Sequence, residues 1–199
     1  MEQEILSSFT NKNQFSFNDL SKLLKIRTNK LAYHLKKLSQ KGLVKKQNSL
    51  YELTEQAESK IPYFSEKSSP IPIILIELKN KSAIFLHKRN KRPYKDLYGL
   101  PGGRILVGES LQQATKRIML SKFNIKINSL KLKSISLEHL KKSNTSINSF
   151  ILITMQAKTS QKINYLSLER IKSQIISSDY KIIKQKPQKT TLKTIITKS

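Results

Sequence analysis

The stretch from Leu97 to Ile125 constrains the fold of this chain more than any other. It reads Leu-Tyr-Gly-Leu-Pro-Gly-Gly-Arg-Ile-Leu-Val-Gly-Glu-Ser, and continues Leu111-Gln-Gln-Ala-Thr-Lys-Arg117-Ile-Met-Leu-Ser-Lys122-Phe-Asn-Ile. Gly102 and Gly103 suit a turn that residues with a Cβ would strain. Glu109 falls close to the start of the segment that follows, where the exposed N–H groups of a helix favour negative charge. A helix over Leu111–Phe123 then places positions 118, 121 and 122 on one face, because residues three and four apart are neighbours on a helix.

These residues resemble the Nudix box, whose pattern is Gly, five residues, Glu, seven residues, then Arg-Glu-apolar-any-Glu-Glu-any-Gly. Gly103, Glu109 and Arg117 stand at the matching positions, and the preceding Leu-Pro-Gly-Gly and the Gly108-Glu109-Ser110 step match as well. The second half departs from the pattern. Where the family has metal-binding glutamates this chain has Ile118, Ser121 and Lys122, and Asn124 replaces the closing glycine. The resemblance implies a Nudix fold in which Glu109 and Arg117 form the family's structural pair, with the usual metal chemistry lost. Magnesium takes hard oxygen ligands, which an isoleucine, a serine and an ammonium do not supply. Lys122 also repels a cation and is suited to a phosphate.

Charge sets the expected partner. The 199 residues carry 38 Lys and Arg against 13 Asp and Glu, a net charge of +25, which points to a polyanion such as double-stranded DNA. Residues 1–60 hold 11 basic and 6 acidic side chains, so most of the excess lies in the remainder. A coding bias toward Lys, Ile and Asn is the competing explanation, although it does not make glutamate scarce. With no cysteine there is neither a disulfide framework nor a cysteine–zinc site. The acidic start Met1-Glu2-Gln3-Glu4 is unlike a signal peptide, and the longest apolar run, Ile71 to Leu78, is too short to span a bilayer. The expectation is a cytoplasmic protein without membrane contact.

Ahead of the box the periodicity is helical. Ile5, Leu6 and Phe9 form one apolar stripe, and Ser16 to Asp19 form a capping-box-like start for a second helix with Leu20, Leu23 and Leu24 inward. Thr28 is expected to cap a third helix, with Leu31, Leu35 and Leu38 inward, Ala32 allowing close approach, and Gly42 ending it. Leu43–Gln47 and Leu50–Leu53 alternate around Asn48-Ser49 as a hairpin, and Thr54 caps a fourth helix. This order is that of a winged helix, and Leu31-Ala-Tyr-His-Leu-Lys-Lys-Leu-Ser-Gln-Lys-Gly-Leu-Val resembles the recognition helix of arsenic-repressor-type regulators. In such folds the third helix enters the major groove and the wing touches the backbone or the minor groove. The candidate DNA contacts are therefore Arg27, Thr28, Asn29, Lys30, Tyr33, His34 and Lys37 on the helix, with Lys45 and Lys46 on the wing. A solvated helix face, or a protein-docking module, would show the same charges.

The fold class expected is α+β, with a winged helix-turn-helix domain over 1–60, a linker over 61–70, and a Nudix-type α/β/α sandwich with a mixed sheet over 71–199. Ile61 to Pro70 has the prolines and serines of a linker, with Tyr63 and Phe64 suited to an interface. Strands are expected at Ile71–Leu78, Ala83–His87, Leu130–Leu137 and Ser149–Ala157. The last two are separated by a polar loop from Lys141 to Asn148, and a helix is expected over Ser167–Ser177. The basic tail beyond Tyr180 either binds phosphate backbones without fixed structure or closes the sheet as a strand. In the family the loop before the box faces a diphosphate-containing ligand, so the resemblance makes Arg89, Arg92 and Arg104 anion contacts alongside Lys122.

Three functions are compatible with these residues. The first is a DNA-binding transcriptional regulator, expected to be a homodimer, whose catalytically silent Nudix-like domain senses a phosphorylated or nucleotide-like ligand without metal or cofactor. The second is a divergent Nudix hydrolase with metal ligands elsewhere, for instance Glu138 or Glu169. The third is a structural nucleic-acid-binding adaptor.

Overall fold

The structure, a computed structural model, describes residues 1–64, 69–189 and 192. The chain divides into two compact units, Met1–Ser69 and Pro70–Ser199.

Among the described residues, the first unit is built on four α-helices and a small sheet. Helix α1 (Glu2–Ser8) buries Ile5 and Leu6, with Phe9 just beyond it. Strand β1 (Gln14–Ser16) leads into α2 (Phe17–Leu24), where Ser16 and Asp19 form a reciprocal capping box. Asp19 N donates to Ser16 Oγ at 3.1 Å and Ser16 N donates to Asp19 at 3.4 Å, which satisfies donors that the helix leaves open. Leu20 is fully buried, whereas Leu23, expected inward, is 57% exposed. Helix α3 (Thr28–Gln40) buries Leu31, Leu35 and Leu38. Its N-cap is Arg27, so Thr28 is the first helical residue rather than the cap, and Ala32 is exposed rather than at a close contact.

Strands β2 (Val44–Gln47) and β3 (Leu50–Leu53) pair antiparallel through Asn48 and Ser49. Both turn residues have positive φ, 48° and 69°, as a tight hairpin turn that follows the strand twist requires. The sheet order is β1-β3-β2, so β1, which has no alternating signature of its own, closes the free edge of the wing. Helix α4 (Glu55–Glu58) starts at Thr54, whose hydroxyl accepts from Ala57 N at 3.3 Å. A 3-10 turn at Ile61–Tyr63 follows, and Ile61 and Phe64 pack on this unit's core. The expected linker therefore begins as part of the first unit, while Tyr63 is 73% exposed. Residues 65–68 of that linker lie outside the described residues.

The second unit is a mixed sheet between two helices. Its central strand β4 (Ile71–Asn80) is buried on both faces, which explains a near-continuous apolar run in place of alternation. Strands β5 (Ala83–Ile84), β6 (His87–Lys88), β7 (Tyr98–Gly99) and β8 (Gly102–Arg104) follow. Helix α5 (Leu111–Phe123) comes next, capped by Ser110 and Gln113 and closed by Asn124 at φ 55°. Asparagine tolerates that left-handed position, which the box usually gives to glycine. Strands β9 (Ser129–Lys142) and β10 (Thr145–Lys158) form one long hairpin, so the expected polar loop at 141–148 is mostly strand. After β11 (Leu166–Ser167) a 3-10 turn spans Lys172–Gln174, and α6 covers Ser177–Lys184.

The helix expected over Ser167–Ser177 is absent, because Leu168, Ile171 and Ile175 are laid against the sheet by turns, with Ile175 bridging Tyr98. The helix begins where that segment was expected to end. The six-stranded sheet runs β11-β5-β4-β10-β9, with β8 paired to β4 and β10 parallel to β4. One face packs Ile74, Ile76, Ile118, Met119 and Met155 beneath α5. The other packs Leu75, Leu100, Leu152, Ile182 and Ile183 beneath α6. Thus Ile182-Ile183 is core rather than tail, and Ile195-Ile196 lies outside the described residues.

Candidate functional site

In the first unit, helical arithmetic from the buried stripe decides which basic groups face solvent. Arg27, Asn29, Lys30 and Lys36 are exposed, and their side chains make no hydrogen bond or ion pair among the described residues. Tyr33 is 62% exposed and meets the His34 ring edge-on at 5.2 Å. Lys36 was passed over in the sequence, although its position five residues after Leu31 puts it opposite the stripe.

Thr28 is exposed, whereas His34 and Lys37 turn toward α1. Glu2 receives Lys37 at 3.1 Å, pairs with Lys41, and lies 3.9 Å from His34 Nδ1. Hydrogen bonds from Lys41 and then Lys37 hold the Glu2 carboxyl below its ordinary range, and Glu2 in turn raises Lys37. On the wing, Lys45 is paired to Glu52 at 2.9 Å, and Lys46 lies over the Tyr51 ring at 5.6 Å from its centroid.

In the second unit the box builds one wall of a pocket. Gly102 and Gly103 are strand residues opposite Leu75 and Ile74, not a turn, and neither has positive φ. Glycine is needed at 102 for close approach: a Cβ there would lie 2.7 Å from the Ile74 carbonyl oxygen. Arg117 forks onto Glu109, one arm of the pair being 2.7 Å, and also donates to the Arg104 carbonyl at 3.0 Å. Leu106 N donates to the same carboxylate at 2.9 Å. The Arg117 hydrogen bond is the main reason that Glu109 is held down to about 2. Glu109 and Arg117 therefore tie the loop after β8 to α5, while a Cβ at Gly103 would lie 3.1 Å from Ile118 Cδ1.

The face that would carry metal ligands does not fit a metal. Ile118 is fully buried in the core, Ser121 is exposed, and Lys122 Nζ donates to the Gly102 carbonyl at 2.6 Å. Among the described residues no group of three or more His, Cys, Asp or Glu is arranged to hold a metal ion.

A cavity of about 330 Å³ opens beside Lys122. Arg89, Arg104 and Lys122 line it, and Arg92 does not. Arg89 Nε is oriented by the Pro93 carbonyl at 3.0 Å. Burial, followed by the charges of Arg89, Arg117 and Lys91, pulls the Lys122 ammonium down from its ordinary value. The opposite wall is acidic: Glu138, a candidate ligand of the hydrolase alternative, lines it together with Asp179, which no sequence pattern marked. Asp179, in the first turn of α6, is 5% exposed and accepts from Leu100 N at 2.7 Å. Glu138 on β9 accepts from Tyr94 OH at 3.4 Å. Burial first, and Glu138 second, push Asp179 up to about 6, against the Leu100 hydrogen bond and Arg89. Glu169 lies away from the pocket, paired with Lys184 at 3.0 Å.

The family model described as "B-block binding subunit of TFIIIC" matches residues 16–126. No curated protein matches the sequence. Among solved structures, the Nudix domain of Shewanella oneidensis NrtR, in a cocrystal structure with ADP ribose, is similar at 15% identity and a TM-score of 0.50. The match covers 66% of this chain and 95% of that one. A MutT Nudix hydrolase from Burkholderia pseudomallei is similar at 16% identity and a TM-score of 0.51, covering 59% of this chain and 98% of that one. These likenesses show the Nudix fold.

Proposed function

Because the chain belongs to the family described as the B-block binding subunit of TFIIIC, we propose that it is a DNA-binding transcriptional regulator whose Nudix-fold unit binds an anionic, nucleotide-like ligand without hydrolysing it. The observation that carries the DNA reading is the free basic face of α3, where Arg27, Asn29, Lys30 and Lys36 stand unpaired beside Tyr33. Arginine, lysine and asparagine on an exposed winged-helix recognition helix suit base edges and phosphates. Lys45 and Lys46 on the wing add backbone contacts, although Lys45 must first leave Glu52. Lys37 and His34 contribute less, since Glu2 already engages them.

The ligand half of the reading rests on Lys122, a tethered ammonium on the helix face that carries carboxylates in the Nudix pattern. Arg89 and Arg104 share its cavity, and guanidinium groups can fork onto phosphate oxygens. The NrtR Nudix domain of the same fold was solved with ADP ribose, which makes ADP-ribose the first ligand to try. Two recognition helices on a two-fold axis would read paired half-sites, so the regulator is proposed to act as a homodimer in the cytoplasm. Among the described residues, no helix is long and apolar enough to cross a membrane.

The test is fluorescence anisotropy of the full chain on random-sequence duplex DNA, paired with a magnesium-dependent hydrolysis assay on ADP-ribose. At physiological salt the expected non-specific Kd is about 10⁻⁴ to 10⁻⁶ M, with no hydrolysis above buffer. Absence of DNA binding at low salt, or metal-dependent turnover, overturns the assignment.

A further inference from the structure

The cavity beside Lys122 has a composition that a plain anion site does not explain. A pocket for phosphates alone gains nothing from carboxylates in its wall, since like charges repel and burying an acid costs free energy. Here Asp179 is buried and Glu138 lines the same cavity, each holding a protein donor, Leu100 N and Tyr94 OH respectively.

The two signs are segregated. Arg104 lies on β8 and Lys122 is tethered to Gly102 of the same strand, whereas Glu138 lies on β9, beyond β4 and β10 across the sheet. Arg89 lies near Gly99, as Asp179 does, and Pro93 fixes its guanidinium through Nε. Between the poles the lining is apolar, with Ile73, Leu75, Phe150 and Ile176. The volume, about 330 Å³, falls at the lower end of the range for small-molecule sites.

We propose that this pocket is bipolar: the Lys122 and Arg104 end takes a phosphate, and the Glu138 and Asp179 end takes hydroxyl or amino donors of the same molecule. The ligand is then a phosphorylated sugar or nucleoside and not a bare polyphosphate. This rests on the ligand-binding reading of the Nudix-fold unit given above. Carboxylates that already accept one protein hydrogen bond retain lone pairs for vicinal hydroxyls or an amine, and a ligand lacking those donors leaves the acidic wall unmatched.

Titration calorimetry of the full chain in the presence of chelator tests this with inorganic pyrophosphate, ribose 5-phosphate and ADP-ribose as probes. Lys122→Gln is expected to weaken every probe. Asp179→Asn keeps a carbonyl for Leu100 N, and Glu138→Gln keeps an acceptor for Tyr94, so both preserve the local contacts, and a melting temperature no lower than that of the wild-type chain verifies folding. Each is expected to weaken ribose 5-phosphate and ADP-ribose about tenfold, the scale of one charge-assisted hydrogen bond, while pyrophosphate binds as well as before or better. If Asp179→Asn and Glu138→Gln change all three probes in parallel, or change none, the bipolar assignment fails and the ligand-binding reading stands. If no probe binds the wild-type chain, or chelator abolishes binding, both fail together.

Discussion

One carboxylate, Glu2, decides which cations along one flank of α3 are free. It engages Lys37 and Lys41 and sits beside His34, three groups from one flank of α3. Glu2→Gln releases the two lysines, so DNA affinity at low salt should rise. The slope of log affinity against log salt should steepen by about 0.9 for each lysine that then reaches a phosphate. An unchanged salt titration would show that this flank does not face DNA. Asp179 carries the second residue-scale prediction. Its carboxyl is raised by burial from the ordinary 3.8 to about 6, so the folded chain holds this proton more tightly than the unfolded chain does. Its stabilising effect is complete below the unfolded value and is lost as pH rises through about 6. At pH 7 the charged group therefore destabilises the fold by up to about 3 kcal/mol, at 1.36 kcal/mol per unit. Asp179→Asn should raise stability to denaturant at pH 7 and match wild type near pH 4. Equal stability at both pH values would remove the assignment. Lys122 and the box residues were legible because their meaning lies in local spacing. Asp179 was not, since its environment depends on Leu100 and Glu138, distant in sequence.

At the scale of elements, α6 shows how a short helix is held in place. Lys133, 1% exposed, donates to Glu77 at 2.6 Å and to the last-turn carbonyls of Ile182 and Ile183 at 2.7 and 3.3 Å. Lys79 adds a bond to the Ile183 carbonyl at 3.0 Å and pairs with Glu77 at 3.2 Å. The cations thus satisfy carbonyls that a helix C-terminus leaves open. Glu77→Leu strands a buried ammonium, and breaking a buried pair in this way costs about 3–5 kcal/mol. The double change Glu77→Leu with Lys133→Met should recover part of the loss in urea unfolding. Additive losses would mean that the two side chains do not act as a pair. The register of β9 against β10 shifts between Thr154 and Met155, and Lys133 falls in that irregularity. An alternating Leu-Lys pattern gives no hint that one of its lysines points inward. The displaced helix has a related cause: Leu168, Ile171 and Ile175 mimic helical spacing, but sheet contacts claim them before Ser177. By contrast α2 was readable from its capping box, α3 from the stripe of Leu31, Leu35 and Leu38, the wing from alternation around Asn48-Ser49, and α5 from the spacing of the box.

For the whole molecule, a net charge of +25 is shared by two units that use it differently. The first presents unpaired cations on the exposed face of α3. The second gathers three cations around a cavity beside α5, where Ile118, Ser121 and Lys122 supply no carboxylate. The central claim is that the first unit reads DNA through the exposed face of α3. Its most direct test is the salt dependence of duplex-DNA affinity for the full chain, compared with the variant carrying Arg27→Ala, Lys30→Ala and Lys36→Ala together. All three side chains are exposed and unpaired, so folding should be unaffected. The account predicts weaker binding, with the slope of log affinity against log salt reduced by about 0.9 for each phosphate contact removed. A variant with the affinity and slope of the wild-type chain would contradict it.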